Sequence, residues 1–197
     1  MSRKRVCRFF ANFFIRIFRG KKHVELEKFK SNLVYKTNIE YYLNEFQKPG
    51  VKHELSLKDF SLYYFYGLHQ TTFDGVYSDA PYVLVLTHKS VANEDVGIAC
   101  VGFEVVTQST ILIKQIQGVR GMAPFLQSFR WEKMLLETVT DWAKKASFKS
   151  VRVIQGKDSY WHNERLDKDF FMKYDVTARR SGFKFDEKDK TYVRTLA

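Results

Sequence analysis

The sequence predicts one α/β domain, a mixed and mostly antiparallel sheet flanked by helices, behind a basic amphipathic N-terminal segment. Three observations predict it. Residues 82–117 hold three β-rich runs separated by short polar turns, the pattern of an antiparallel meander. Beyond them, two helical patterns alternate with further short β-rich runs. Finally, residues 1–23 hold eight Lys or Arg and no Asp or Glu, which leaves only +3 of the formal net charge of +11 for the other 174 residues. The basicity therefore belongs to an attached segment (1–23) more than to the body (24–197).

The attached segment is amphipathic. Placed on a helix at about 100° per residue, Arg5, Arg8, Asn12, Arg16 and Arg19 fall within an arc of roughly 80°. Phe9, Phe10, Phe13, Phe14, Ile17 and Phe18 lie on the remaining, wide apolar face, and Gly20 supplies a stop. The apolar run between Arg8 and Arg16 is far shorter than the ~20 residues a spanning helix needs. Arginines interrupt it and no small-residue cleavage site follows, so a secretory signal is a poor match. Three readings remain. The segment lies on an anionic membrane surface; it is an organelle presequence; or it packs on the body or a larger protein assembly, its arginines solvated or bound to nucleic acid. Wide apolar faces usually mean burial. The corresponding locations are cytoplasmic with peripheral membrane attachment, or organelle-targeted.

The body has the composition of a folded domain. Hydrophobic residues make up 45% and aromatics 16% of the 197 residues, enough for a sizeable core. Cys7 and Cys100 are the two cysteines, one in the basic segment and one in a β-rich run, so a reducing compartment is the simpler reading. The five histidines show no metal-ligand spacing with cysteine or carboxylate. Phosphate-loop, zinc-protease and serine-hydrolase motifs are absent.

In chain order, residues 24–48 read as helix in two pieces, with Ile39, Tyr42, Leu43 and Phe46 on one side and Pro49-Gly50 as the stop. Residues 56–68 are ambiguous, aromatic enough for a strand and spaced well enough for a helix. Strands follow at 82–87, 96–106 and 110–117. Residues 131–146 form an amphipathic helix with Trp131, Leu135, Val139, Trp142 and Ala143 on its apolar face. A short strand at 151–155 precedes a helix at 170–181 that ends on Gly182. Residues 183–185 and 192–196 flank Asp186-Glu-Lys-Asp-Lys, a closing hairpin.

From residue 82 onward the order β–β–β–helix–β–helix–β–β resembles the GNAT (acyl-CoA N-acyltransferase-like) superfamily. Two local stretches carry the resemblance. Ala178-Arg-Arg-Ser-Gly-Phe-Lys-Phe is similar to that family's last helix, ending in Gly-Phe before a hairpin. Gln115-Ile-Gln-Gly-Val-Arg-Gly is similar to its Q/R-x-x-G-x-G/A loop. Arg120 stands where that loop has Gly or Ala, with Gly121 one place late, and Ala178 stands where the family often has a general-acid tyrosine.

The resemblance implies a GNAT-like sheet and an acetyl-CoA or other acyl-CoA cofactor, its pyrophosphate held by backbone amides near Gln115, Gly118, Arg120 and Gly121. It implies transfer of an acyl group to an amine. Glu104, set among apolar residues, is the candidate base and Tyr174, one turn before Ala178, the candidate acid. Trp161, His162 and Asn163, in the loop after the 151–155 strand, are the candidate acceptor contacts. The altered loop and Ala178 equally fit a non-catalytic protein of the same architecture, recruited to a membrane or assembly by residues 1–23.

Overall fold

The computed structural model describes residues 43, 45–48, 57–66, 73–163 and 166–196. The basic segment from Arg5 to Arg19, and all but a few residues of the 24–48 helical reading, lie outside them.

Among the described residues seven strands form one sheet: β1 (Phe60–Tyr66), β2 (Tyr82–Lys89), β3 (Asp95–Thr107), β4 (Thr110–Gly118), β5 (Ser150–Ile154), β6 (Lys184–Asp186) and β7 (Thr191–Thr195), in the order β1-β2-β3-β4-β5-β7-β6. Within the ambiguous aromatic run 56–68, Phe60–Tyr66 form strand β1, which pairs antiparallel with β2 along its whole length. β-propensity and cross-strand pairing outweigh the helical spacing there. β2 is buried at seven successive positions, the mark of a strand covered on both faces.

All neighbouring pairs are antiparallel except β4 and β5, which run parallel. A parallel pair cannot be closed by a tight turn and needs a crossover. Here the crossover is α1 (Ala123–Leu126) followed by α2 (Trp131–Lys145). Met134, Leu135, Val139, Trp142 and Ala143 of α2 pack against Tyr82, Phe103, Ile111 and Val151 in the main core. The Trp142 ring meets Tyr64 and Phe103 edge-on at centroid distances of 5.8 and 5.4 Å. Glu132 in the first turn and Lys144-Lys145 in the last complement the helix dipole. On the other sheet face Val76, Val83, Val85 and Cys100 form a smaller cluster, covered by Phe65, Phe73 and Val119.

The last helix begins earlier than the 170–181 pattern indicates and is not uniform. It runs as α3 (Asp167–Phe171), a π-helical stretch at Met172–Val176, and α4 (Thr177–Arg180), with helical backbone at both junctions. π turns are rare and concentrate at functional sites. Gly182, at φ +77°, ends the helix in the left-handed conformation that favours glycine. Tyr192 of β7 and Asp175 of the π stretch then join the helix to the sheet, the Tyr192 hydroxyl donating to Asp175 Oδ1 at 3.0 Å.

Candidate functional site

β4 and β5 stay in register from Thr110↔Ser150 to Ile113↔Val153 and pair no further. The cause is a bulge in β4. Gly102 of β3 faces Gln115 while its neighbour Phe103 faces Ile113, so Lys114 is the extra residue. A bulge bends its strand and interrupts pairing. The next stretch of β4, Lys114 to Gly118, therefore leaves β5 and exposes a backbone edge inside the protein.

Among the described residues, the Tyr174 side chain occupies that edge. The Ile116 N–H donates to the Tyr174 hydroxyl at 2.9 Å, and Ser159 Oγ lies 3.2 Å from the same oxygen. Tyr174 comes from the π stretch, Ser159 from the loop after β5. The hydroxyl thus spans the gap between the diverging strands. Burial pushes its pKa up to about 12, reinforced by the charge of Asp79 and partly offset by the Ser159 and Ile116 hydrogen bonds. It carries its proton at neutral pH.

The helix is held close by two further contacts. Asp175 Oδ2 accepts the Gly156 N–H at 2.8 Å. A Cβ on Gly156 would lie 2.6 Å from the Phe170 carbonyl carbon and oxygen, so only glycine lets the turn Gly156–Asp158 approach the helix. Arg179 donates to the Tyr192 hydroxyl at 2.9 Å, completing an Asp175–Tyr192–Arg179 chain.

Beside the Tyr174 hydroxyl a cavity of about 450 Å³ opens to solvent. Gln115, Ile116 and Tyr174 form its buried floor, and Tyr77, Trp161 and Leu166 its exposed mouth. Arg120 and Lys173 bring the charge, and among the described residues no carboxylate lines it. The turn after β4 forms one wall. Val119 N–H bonds Ile98 O and Met122 N–H bonds Val119 O, while the amides of Arg120 and Gly121 take no backbone carbonyl among the described residues. Gly121 has φ +85° with open space where a Cβ would be. Gly118 packs on Trp131, where a Cβ would come within 3.3 Å of the indole. Bordering the same helix, a second basin of about 620 Å³ gathers Lys48, Arg130, Lys133 and Arg180 around Glu132. Burial raises the Glu132 pKa, against the pull of Lys48 and Lys173.

Several residues marked in the sequence meet here. Gln115, Gly118, Arg120, Trp161 and Tyr174 line one cavity, and Gly121 sits on its rim turn. Gln115 lies within β4 rather than in the loop, its side-chain amide donating to Tyr77 O and to Gln117 Oε1. His162 is set behind the wall. It bonds Asp167 Oδ1 at 2.9 Å and meets the Phe170 ring edge-on at 5.5 Å. Asn163 gives its carbonyl to Leu166 N–H. Glu104 lies farther along β3, opposite Leu112, with Lys114 Nζ at 3.8 Å, and does not line the cavity.

Sequence reasoning missed Tyr77, the Ile116 amide and Asp175. It also missed α1, which begins two residues after Gly121; Pro124 at the first helical turn was the available signal.

No protein-family model matches the chain, and no curated protein matches it in sequence. Solved structures do. A GNAT family N-acetyltransferase, YhbS from Escherichia coli, in complex with CoA, is 13% identical over 60% of this chain and 60% of its own, with a TM-score of 0.35. Ard1 from Thermoplasma volcanium is 12% identical over 71% of this chain and 99% of its own, with a TM-score of 0.39. Rv2747 from Mycobacterium tuberculosis, in complex with CoA and NLQ, is 10% identical over 58% and 76%, with a TM-score of 0.32. These are likenesses of fold. The mixed α/β class and the order of elements from β2 onward are those the GNAT resemblance implied.

Proposed function

We propose that the chain is an acyl-CoA-dependent N-acyltransferase. The observation that carries this reading is the gap between β4 and β5, opened by the Lys114 bulge and floored by the protonated Tyr174 hydroxyl. The residues beside it suit a CoA ester. Its phosphates are anionic, and the Arg120 guanidinium and the Lys173 ammonium line the cavity beside the Arg120 and Gly121 amides, which take no backbone carbonyl among the described residues. The basin of Lys48, Arg130, Lys133 and Arg180 offers further cations along the same helix.

Bound acyl-CoA supplies the activated thioester. The chain's residues supply position and one proton. An amine entering past Trp161 and Tyr77 attacks the thioester carbonyl, and the carbon–sulfur bond breaks. Tyr174 gives its proton to the leaving sulfur and recovers one from solvent, while the amine's proton goes to solvent. A hydroxyl that burial holds up to about 12 stays protonated at neutral pH and so does not act as the base. The apolar walls and nearby cations favour the neutral, nucleophilic form of the amine. Glu104 takes no step in this scheme.

The test is thiol release from acetyl-CoA by the full chain with a panel of primary amines. Amine-dependent release that falls at least tenfold in Tyr174→Phe supports the reading. A second reading, a non-catalytic CoA-binding protein, is favoured by one observation: Ile116 and Ser159 already engage the Tyr174 hydroxyl. CoA binding without thiol release for any amine would select it.

A further inference from the structure

A further cavity of about 460 Å³ lies between the last helix, the turn Gly156–Asp158 and the β6–β7 hairpin, and it shares no lining residue with the cavity at Tyr174. Its size is that of a small-molecule site. Phe171, Asp175 and Arg179 of the helix line it at a spacing of four, and Phe185 and Glu187 line it from the hairpin.

Arg179 is the best-placed group. Its guanidinium lies over the Phe171 and Tyr192 rings at 5.7 and 5.5 Å and donates to the Tyr192 hydroxyl at 2.9 Å. These contacts hold a planar fork of five N–H donors in place before any ligand arrives. Asp175 meets it only through the Tyr192 hydroxyl. Lys157 lines the same space, and its ammonium forms no ion pair among the described residues. The acids of the lining, by contrast, are engaged. Asp167 pairs with His162 and Glu187 with Lys190, while the two oxygens of Asp175 take the Gly156 N–H and the Tyr192 hydroxyl. Two cations are thus left to bind, and a guanidinium fork matches carboxylate or phosphate.

The buried Asp175 decides between them. Its charge, one hydroxyl away from Arg179, opposes a dianion more than a monoanion. The rings define the rest of the ligand. Phe171 and Phe185 leave 42% and 36% of their surfaces exposed on two separate elements of this cavity, a place for an apolar, flat body.

We propose that this cavity binds a small aromatic monocarboxylate, its carboxylate on the Arg179 fork beside Lys157 and its ring against Phe171 and Phe185. The binding depends on no step at Tyr174.

The test is calorimetric titration of the full chain with phenylpropionate, phenylpropanol and phenyl phosphate at physiological salt. Phenylpropionate should bind saturably, the uncharged alcohol should not, and phenyl phosphate, a dianion at neutral pH, should bind more weakly. Arg179→Lys keeps the charge, removes the fork and should weaken phenylpropionate about fivefold or more. Lys157→Ala and Phe185→Ala, at exposed positions, should weaken it in the same direction and keep the test open if the Arg179 variant does not fold. Arg120→Ala, in the Tyr174 cavity, should leave it unchanged. No saturable binding of phenylpropionate, equal binding of the alcohol, tighter binding of phenyl phosphate, or unchanged affinity in both Lys157→Ala and Phe185→Ala overturns the inference. So does a loss of affinity in Arg120→Ala, which places the ligand at Tyr174 instead.

Discussion

The Tyr174 hydroxyl accepts the Ile116 amide at 2.9 Å, so a side chain from the last helix does what the fifth strand does for the rest of β4. The N–H that β5 abandons at the bulge is not left unpaired in the interior, where it would cost about 1–3 kcal/mol. The same bond places an ionisable oxygen at the floor of the strand gap, so fold and candidate chemistry meet in one atom pair.

That pairing makes Tyr174→Phe informative for stability as well as activity. Loss of the hydroxyl leaves Ile116 N–H and Ser159 without this partner and should cost about 1–2 kcal/mol. Urea unfolding would show it as a lower midpoint at unchanged slope. An unchanged midpoint would mean that water takes the amide freely.

The pH dependence has a definite sign. The folded pKa of Tyr174, about 12, exceeds its ordinary value of 10. The folded protein then holds this proton more tightly than the unfolded chain. Its contribution is fully present below pH 10 and is lost as pH rises through about 12. Thermal melts should fall in this window, and less steeply in Tyr174→Phe. Tyr192, also shifted up by burial, adds a share of the same sign that the variant retains.

Gly156→Ala should be damaging although the change is one methyl. Its Cβ would sit 2.6 Å from backbone atoms of Phe170, which cannot rotate away. A loss of roughly 1–3 kcal/mol is expected as the helix is pushed off its turn. A melting temperature equal to that of the parent would contradict the close packing of this turn.

Arg120→Ala and Lys173→Ala should each weaken CoA binding by about tenfold or more, the scale of a charge-assisted hydrogen bond of about 1.5–3 kcal/mol. Both residues border solvent, so melting temperatures should barely move without ligand. Equal CoA affinity in the double variant would place the phosphates elsewhere.

The sequence carried much of this fold in its periodicities. The strands β2 to β4, α2 and the closing hairpin follow from apolar alternation, helical spacing and turn residues, signals that operate within a few residues. Trp161, Tyr174 and the Gly118–Gly121 turn were also visible, because loops after strands in this order of elements converge. The bulge at Lys114 was not. It adds one residue to a run, TILIKQIQ, that still alternates acceptably, and only the register with β3 reveals it. The π stretch at Met172–Val176 and the Asp175–Tyr192 bond were hidden for the same reason, since tertiary contacts fix them. Glu104 looked catalytic because it interrupts an apolar strand. Its neighbour Lys114 accounts for that position with an ion pair.

The most direct check on the central claim is the melting temperature of the full chain at rising CoA concentration. At about one hundred times the dissociation constant, binding to the native state alone adds about 2.7 kcal/mol, or roughly 5–10 °C for a domain of this size. The account predicts a saturable rise of that order, diminished in the Arg120→Ala, Lys173→Ala double variant. A folded chain whose melting temperature stays constant up to millimolar CoA would contradict it.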